Sequence, residues 1–422
     1  MLSPHTMSRR AFVGTVVAAP LATQLATVDA PDEEVAPARS RNGTKEHVIV
    51  VGAGAFGGWS ALALLRAGKR VTLIDAWGAG NSRASSGGET RVIRAVYGGK
   101  ALYSEMAVRA LTLWRAAEKQ WKRQVFFHTG ALWSCAADDG YVRRSIEPMK
   151  AAGVALEPVS LDDAARRWPQ VNFRDVRSAY FEPEAGFLTA RTACELVRET
   201  FVREGGTYRQ AEVRPVVSDE ARLPGITLSD GNTLAADRYV FACGPWLPQL
   251  FPEVIGRRIV PTRQEVFFFG TPAGNTQYDR TSLPVWVHIG ERFVYGMPVH
   301  DRRGLKVADD TAGPEVNPTT LEREPSAEGL AGARAILRDR FPAMAGAPLL
   351  EARVCQYEAS SDGNYLVDRH PQLDNVWVVG GGSGHGYKMG PALGEHVAAL
   401  VQGRASVHPL FAYGTKTAGG GR

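Results

Sequence analysis

Hydrophobic and polar positions alternate in blocks near the start of the folded sequence, and these blocks predict a strand–helix–strand unit. Residues 48–51 (VIVV) are all apolar, which is typical of a buried strand. A helical stretch with apolar positions over 61–67 ends at Gly68, and residues 70–74 (RVTLI) predict a second strand. Asp75 stands at the end of that strand. This order predicts two neighbouring parallel strands joined by a helix.

The turn between the first strand and the helix carries the glycine spacing GxGxxG, at Gly52, Gly54 and Gly57. Glycine permits a tight turn and the close approach of a pyrophosphate, and the unpaired N–H groups of a helix N-terminus attract its negative charge. Asp75 would accept hydrogen bonds from a ribose. The unit therefore predicts dinucleotide binding, without distinguishing NAD from FAD.

Two later stretches favour FAD. An apolar strand-like run within 238–251 leads into Gly244 and Trp246, and a second run at 376–380 leads into the glycine-rich loop GGGSGHGYK and a helix from about Pro391. An NAD domain builds its site within one contiguous set of strands, whereas glycines spread over most of the chain suit a larger cofactor with a flavin ring to bury. The alternative is that the late glycines form only turns.

This spread of motifs predicts a two-domain α/β (α+β) fold. A Rossmann-like FAD-binding domain would take residues 46–120, 187–260 and 360–405. The remaining segments, 121–186 and 261–359, contain strand-like runs such as EVFFFG and RFVYGMP, which predict an antiparallel sheet in a second, substrate domain.

Composition narrows the class of protein. The chain has 422 residues, 44% of them hydrophobic, which is enough for a large core. The net charge of +5 is small and no basic run is present, so we expect no nucleic-acid partner. Its 4 cysteines form no disulfide framework and no zinc-ligand spacing, so no metal site is predicted.

The first residues resemble a twin-arginine export signal. Arg9 and Arg10 precede an uncharged stretch over 11–28. We therefore predict a signal peptide over 1–30, recognised by the twin-arginine translocation machinery, then a disordered linker over 31–45. The protein would be periplasmic or extracellular, without stable membrane insertion after processing. The alternatives are a membrane anchor and the flexible basic end of a cytoplasmic protein. Residues 412–422 predict a disordered tail.

Four further motifs, in order along the chain, carry a family resemblance: SRASSGGETRVIRAVYG (82–98), GLKVADD (304–310), CQY (355–357) and SGHGYK (383–388). Together they resemble the monomeric sarcosine oxidase branch of the D-amino-acid-oxidase-like flavoproteins, which includes N-methyltryptophan oxidase and is related to fructosyl-amino-acid oxidases. The resemblance runs from about residue 46 to 405. It implies an enzyme that acts as a monomer.

The resemblance implies an activity. These flavoproteins oxidise a secondary or N-substituted amine, often of an amino acid, by hydride transfer to flavin; the imine hydrolyses, and O2 is reduced to H2O2. Arg94, Lys388 and Tyr357 match positions that bind the substrate, and Lys306 matches the lysine that activates oxygen. Arg91 matches an arginine close to the flavin. For Arg91 and Arg94, the alternative is the solvated basic face of a helix.

Cys355 matches the cysteine that bonds covalently to the flavin in this branch, and covalent linkage would fix the ring and raise its potential. The alternative is a buried structural thiol, which we also expect for Cys135, Cys194 and Cys243. With this cysteine, the motifs imply the following FAD contacts: Gly52, Gly54, Ala55, Phe56, Gly57, Asp75, Ala76, Ser85, Ser86, Thr90, Arg91, Val213, Gly244, Trp246, Cys355, Gly382, Ser383, Gly384, His385, Gly386 and Lys388.

Two acids depart from the family pattern. Asp310 stands four residues after Lys306, where the family often has histidine, and it joins Lys306, Arg91 and Tyr357 in the predicted catalytic set. Glu358 follows the Cys-x-Tyr motif. Two acids near the pocket would favour a substrate with a cationic or hydroxylated group over sarcosine.

Three functions remain open from the sequence. The first is an exported amine oxidase that makes peroxide. The second is a flavin dehydrogenase that passes electrons to a quinone or another acceptor. The third is a flavin-binding partner protein without catalytic activity, against which the presence of Arg94, Lys306, Cys355, Tyr357 and Lys388 argues.

Overall fold

The computed structural model describes residues 45–418. The predicted signal over 1–30, the linker apart from Lys45, and residues 419–422 lie outside this range. Within it, no helix combines the length and the apolar character needed to cross a membrane.

The described helices and strands follow the predicted blocks. The helices are α1 Ala55–Arg66, α2 Ala101–Trp121, α3 Gly140–Arg143, α4 Ile146–Ala151, α5 Leu161–Arg167, α6 Ala190–Arg203, α7 Leu247–Leu250, α8 Ala327–Arg340 and α9 Gly390–Val401. The strands are β1 His47–Val51, β2 Arg70–Asp75, β3 Thr90–Ile93, β4 Phe126–Phe127, β5 Ala131–Cys135, β6 Glu157–Val159, β7 Ser178–Glu182, β8 Gly186–Thr189, β9 Thr207–Gln210, β10 Ile226–Thr227, β11 Thr233–Leu234, β12 Arg238–Phe241, β13 Ile259–Phe269, β14 Val285–Ile289, β15 Phe293–Met297, β16 Leu305–Asp309, β17 Leu349–Ser360, β18 Leu366–Arg369 and β19 Val376–Gly380.

Two large sheets organise these strands. The first has the order β18-β19-β12-β1-β2-β9, with parallel pairing except at its β18 edge. The second has the order β17-β13-β16-β15-β14-β5-β7-β6 and is antiparallel except between β5 and β14. A smaller sheet, β3-β8-β4, lies apart from both. The fold class predicted from the sequence is confirmed.

The parallel sheet draws its strands from the three segments predicted for the FAD-binding domain, and the antiparallel sheet draws its strands essentially from the other two. The described residues nevertheless cluster as one compact unit. The domain boundaries themselves stay a prediction.

Helix α1 is buried because α9 packs closely against it. A Cβ at Gly394 would lie 2.7 Å from the backbone of Trp59, so glycine at this position allows the two helices to approach. The Trp59 ring meets the Trp114 ring of α2 edge-on at 5.1 Å between centroids. This packing fixes the N-terminus of α1 at the ends of β1 and β12.

The predicted disorder of 412–422 is wrong for residues 412–418. The buried Lys416 ammonium donates to Asp362 Oδ2 at 2.8 Å and to the Leu410 carbonyl at 2.7 Å. The Tyr413 N–H donates to Asp368 at 2.7 Å. The composition of the tail suggested solvation, but these long-range bonds hold it against the fold.

Candidate active site

The carboxyl ends of the parallel strands and one side of β17 enclose a cavity of about 280 Å³. The turn after β1 and the end of β2 form one end of the cavity, and β17 and the loop before α9 form the other. Most of the residues predicted to contact FAD lie on its wall: Gly52, Gly54, Ala55, Phe56, Asp75, Ala76, Ser85, Ser86, Arg91, Val213, Gly244, Trp246, Gly382, Gly384 and Gly386, together with Tyr357.

The remaining predicted FAD contacts do not form part of that wall: Gly57, Thr90, Cys355, Ser383, His385 and Lys388. A Cβ at Gly57 would clash with the carbonyl oxygen of Gly52, so this glycine lets α1 pack on the turn. The Ser383 hydroxyl donates to a carbonyl of its own loop at 2.9 Å, and the His385 ring lies 3.0 Å from the Tyr365 hydroxyl. The side chains of Ser383 and His385 therefore stabilise the wall without lining the cavity.

Backbone geometry shapes the end of the cavity near Asp75. Gly52 has φ of +101°, and a Cβ there would clash with the Ala242 carbonyl, so the turn requires glycine. The Asp75 carboxylate accepts hydrogen bonds from the N–H groups of Ala53 and Trp77, at 2.7 Å and 2.9 Å. Burial raises the pKa of Asp75. Asp75 thus fixes the surrounding loops in addition to facing the cavity.

At the opposite end, Arg91 and Cys355 meet. Arg91 Nη2 donates to the Ser85 carbonyl at 2.7 Å and approaches Cys355 Sγ at 3.4 Å. Arg91 lies on strand β3, and Arg94 directly follows it; both are partly buried. The alternative of a solvated helical face is therefore wrong, because the segment is a strand that pairs with β8.

Lys306 is buried behind Arg91. Its side chain is on β16, the residue is 1% exposed, and Nζ donates to the Thr90 carbonyl at 3.0 Å. Burial, and then the charge of Arg91, lower the pKa of Lys306 to about 7. The ammonium is therefore a cation whose charge can change near neutral pH.

Two tyrosines and an acid form a hydrogen-bonded group beside this lysine. The Tyr357 hydroxyl donates to Asp310 Oδ1 at 2.7 Å. Burial, followed by the charge of Asp310, raises the pKa of Tyr357 well above its ordinary value and that of Tyr295 to about 12. Both phenols are neutral at physiological pH, so they act as hydrogen-bonding groups rather than as bases.

Arg94 and Lys388, the two predicted carboxylate-binding cations, converge on Tyr97. Lys388 Nζ donates to the Tyr97 hydroxyl at 2.9 Å and to the His385 carbonyl at 2.8 Å. The Arg94 guanidinium carbon lies 4.6 Å from the centroid of the Tyr97 ring. Burial, and then the charge of Arg94, lower the pKa of Lys388 well below its ordinary value.

A buried acid accompanies these cations. Glu182 accepts hydrogen bonds from the Ala95 N–H and, at 3.3 Å, from Trp133 Nε1. Burial raises the pKa of Glu182 to about 7, although Ala95 and Arg94 act to lower it. Sequence reasoning missed both Tyr97 and Glu182. Tyr97 was within the quoted motif, but Glu182 had no motif to mark it.

A family model for FAD dependent oxidoreductases (DAO) matches residues 47–400. This chain belongs to that family. Monomeric sarcosine oxidase from Bacillus sp. (strain B-0618) is 28% identical over 370 residues, which cover 86% of this chain and 94% of the relative. N-methyl-L-tryptophan oxidase from Salmonella dublin is 28% identical over 379 residues, which cover 87% of this chain and 97% of the relative.

Solved structures share the fold. Amadoriase I from Aspergillus fumigatus, a fructosyl amine:oxygen oxidoreductase, superposes with a TM-score of 0.74 at 22% identity and covers 89% of this chain and 91% of its own. L-proline dehydrogenase from P. horikoshii has a TM-score of 0.75 at 22% identity, with 87% and 96% covered. At this identity the two structures establish the fold alone.

The cavity fits the FAD that the family uses. A Cβ at Gly54 would come within 3.2 Å of Ser86 Oγ. The glycine therefore keeps open a space that a side chain at this position would fill. Gly54 precedes α1, and Ala55 at the start of the helix faces the cavity, with its N–H donating to Ser86 Oγ at 3.0 Å. This positive end of the helix dipole is the environment that a pyrophosphate requires.

Glu358, expected as an acid near the pocket, lies on the wall. Other wall residues were missed by sequence reasoning: Val51, Trp77, Asn81, Ala84, Ala211, Glu212, Pro215, Ala242, Cys243, Pro245, Gln249, Leu250 and Tyr387. Cys243, just after β12, lies on the cavity wall, and its Sγ donates to the Val51 carbonyl at 3.4 Å; the expectation of a structural thiol stays a prediction. Among residues 45–418, no group of three or more His, Cys, Asp or Glu side chains could hold a metal ion.

The structure separates the two acids that were expected to act together. Successive residues of a strand point to opposite faces, so Tyr357 and Glu358 diverge. Tyr357 contacts Asp310, whereas the Glu358 carboxyl group lies beside Gly244 and Gly382. Asp310 therefore remains a candidate for substrate contact, and Glu358 belongs to the FAD side.

Proposed function

We propose that this protein is an FAD-dependent oxidase of secondary or N-substituted amines that carry a carboxylate, such as N-alkyl amino acids, with O2 as acceptor and H2O2 as product. The observation that carries this proposal is the convergence of Arg94 and Lys388 on Tyr97 in a buried site. The names of the oxidases to which the chain is similar support the same class of substrate.

Arg94 and Lys388 would bind the substrate carboxylate. Burial acts against the charges of Arg94 and Lys388 while Glu182 and Asp310 act in their favour, so a further anion beside them would favour their charged forms. A substrate carboxylate would supply that anion. The guanidinium can donate hydrogen bonds to both carboxylate oxygens, and the lysine adds a point charge. Because the carboxylate is then fixed, the amine end of the substrate is oriented as well.

FAD, when bound, supplies the acceptor for the hydride of the C–H bond next to nitrogen. The chain supplies the surroundings. Lys306 would place a positive charge near the ring, where it stabilises the negative charge that develops on oxygen. Tyr357 and Asp310 form a polar pair in the same region. A hydroxyl or cationic group of the substrate would bind to this pair.

We further propose that Cys355 carries the flavin covalently. Its sulfur lies 3.4 Å from Arg91 Nη2. The Arg91 guanidinium therefore lies directly beside the sulfur that would form the bond to the flavin. The other described cysteines, Cys135, Cys194 and Cys243, lack such a contact with an arginine at hydrogen-bonding distance.

A dehydrogenase is the second candidate, and one observation favours it. A lysine with a pKa of about 7 is only partly charged at neutral pH, which would weaken the activation of oxygen. The inactive partner protein is the weakest alternative, since Arg91 and Tyr357 line the cavity and Lys306 is hydrogen-bonded to Thr90, the residue before Arg91.

Localisation and assembly are also proposals. The twin-arginine motif at Arg9 and Arg10 supports export to the periplasm or beyond, and the length and name of the monomeric sarcosine oxidases support a monomer. Export is tested by fractionating cells that express the full chain and a variant with both arginines replaced by lysine. Retention of the parent protein in the cytoplasm would contradict the proposal.

The substrate class is tested with pairs of compounds that differ only in the carboxylate. N-methyltryptophan is paired with N-methyltryptamine, and sarcosine with dimethylamine, and both oxygen consumption and peroxide formation are measured. We expect turnover of at least one carboxylate member with stoichiometric peroxide. Equal turnover of paired compounds would contradict the carboxylate site, and reduction without oxygen consumption would favour the dehydrogenase.

A further inference from the structure

Glu358 is a buried acid in the wall of the FAD cavity that the proposed reaction does not use. The residue is 8% exposed. Three glycines make room for its carboxyl group: a Cβ at Gly244, Gly380 or Gly382 would come within 3.5 Å of a Glu358 oxygen. The chain therefore builds a compartment for this one side chain where the segment after β12 and the end of β19 meet β17.

The surroundings of Glu358 favour the neutral carboxylic acid over the charged carboxylate. Oε2 has no hydrogen-bond partner among the described residues. Burial raises the pKa of Glu358 to about 7, although hydrogen bonds from the N–H groups of Gly382 and Gly381 act to lower it. An unpaired buried carboxylate is costly, whereas a neutral carboxylic acid is less so and can also donate a hydrogen bond.

The elements packed against Glu358 bring no compensating cation to hydrogen-bonding distance within residues 45–418. Its partner on β13 is Pro261, and α1 contributes the Phe56 ring. The segment after β12 brings Cys243, whose thiol pKa is raised well above its ordinary value by burial, then by Asp75 and Glu358. Arg91 lines the same cavity, but it is bonded to Ser85 and Cys355.

We propose that Glu358 contacts FAD as a neutral carboxylic acid, so that FAD binding takes up a proton at this side chain. A charged Glu358 would share the cavity with the negatively charged pyrophosphate of the cofactor, and repulsion would weaken binding. The inference requires FAD binding, which follows from the family, and it is independent of the amine substrate. A wrong substrate class would therefore leave it intact.

The direction of the pH effect follows from the charge states. Below about pH 7, Glu358 already carries its proton in the FAD-free protein, so this group leaves FAD affinity unchanged with pH. Above that value the proton must come from solvent on binding. FAD affinity then falls as pH rises, by about tenfold per pH unit until the group is also ionised in the complex.

The test measures the dissociation constant of FAD by fluorescence quenching, at a series of pH values from about 6 to about 8.5, in Cys355→Ser protein so that the cofactor exchanges. Glu358→Gln removes the ionisable group and keeps its shape, and we expect it to abolish the fall in affinity above pH 7. Glu157→Gln is the matched control, because Glu157 is an exposed glutamate on β6 that does not line the cavity. We expect it to keep the parent slope.

An unchanged slope in Glu358→Gln, or its loss in Glu157→Gln, would overturn the proposal. If Glu358→Gln does not fold, calorimetry of the Cys355→Ser protein decides. FAD is titrated at about pH 8 in two buffers with different ionisation enthalpies, and uptake of about one proton per FAD is expected. No proton uptake, or no FAD binding at any pH, would overturn the proposal.

Discussion

The two ends of the FAD cavity are built in different ways. Near Asp75 the wall is made largely from one continuous segment, 47–78, and its key contacts are backbone atoms and glycines. At the other end the wall carries side chains from distant parts of the chain, such as Arg91 and Tyr357, and Arg94, Lys306 and Lys388 lie outside that wall. FAD binding near Asp75 should therefore depend on backbone conformation, whereas activity at the other end should depend on side-chain charge. Substitutions that change a charge at the other end should have little effect on folding.

Gly52→Ala should have the largest effect of all. The substitution adds a Cβ that clashes with the Ala242 carbonyl and places alanine at a left-handed φ, so we expect a loss of more than about 4 kcal/mol of stability and loss of bound FAD. Thermal unfolding and FAD content measure this. Gly68→Ala is the matched control: φ is +86° but no atom lies within 4 Å of its Cβ, so it should cost only about 1–2 kcal/mol. Equal effects would remove the distinction between the ends.

Cys355→Ser should convert a covalently bound flavin into a dissociable one without unfolding the protein. Serine has nearly the same shape but is a far weaker nucleophile. After acid precipitation we expect the yellow colour to remain in the pellet of the parent protein and to enter the supernatant of the variant. Colour released from both proteins would make Cys355 a plain buried thiol.

Lys306→Met should uncouple the two halves of the reaction. Methionine keeps the volume of the side chain but removes the cation, so flavin reoxidation by O2 should slow by about 10²- to 10³-fold. Anaerobic reduction by substrate should change much less. Stopped-flow absorbance follows both steps, and Lys150→Met, on the exposed side of α4, is the control. If both steps slow equally, Lys306 has a different role.

Arg94→Lys should weaken only the substrates that carry a carboxylate. Lysine retains the charge but cannot donate to both carboxylate oxygens in the same geometry. Losing one hydrogen bond between charged groups costs about 1.5–3 kcal/mol, which corresponds to a decrease of about 10- to 100-fold in kcat/KM. Steady-state kinetics with the paired compounds measures this. An equal loss for the carboxylate-free amine would show that Arg94 acts on the protein rather than on the substrate.

A smaller effect is expected from pH. Lys306 is charged below its pKa of about 7 and neutral above it, so reoxidation by O2 should slow as pH rises through 7. The expected change is about tenfold between pH 6 and pH 8. Flavin reoxidation measured over this range tests it, and Lys306→Met should show no such dependence. A parent rate that rises with pH would contradict the assignment.

The same contrast explains what the sequence could predict. The β1–α1–β2 unit was predicted closely, because its glycine spacing and apolar blocks are local. The three-segment parallel sheet followed from the spread of later glycines. Glu182 was missed because only the fold brings β7 to the segment after β3, where the Ala95 N–H donates to its carboxylate. Tyr97 is close to Arg94 in the sequence, but its hydrogen bond with Lys388 joins distant segments.

Two errors came from reading polarity alone. The tail over 412–418 looked solvated, yet Lys416 finds its partner Asp362 far away in the sequence. Glu358 and Asp310 looked like a pair of acids, but the alternation of side chains along β17 sends Glu358 toward Gly244. In both cases the residue type indicated the chemistry of the side chain, but only the tertiary structure shows which groups surround it.

The most direct test of the proposed function is anaerobic mixing of the purified flavoprotein with N-methyltryptophan, sarcosine and other N-methyl amino acids, each beside the same amine without its carboxylate. The account predicts that flavin absorbance bleaches with at least one amino acid, bleaches far more slowly with its carboxylate-free partner, and recovers with peroxide when O2 is admitted. Bleaching at equal rates within every pair, or no bleaching across the panel, would contradict it.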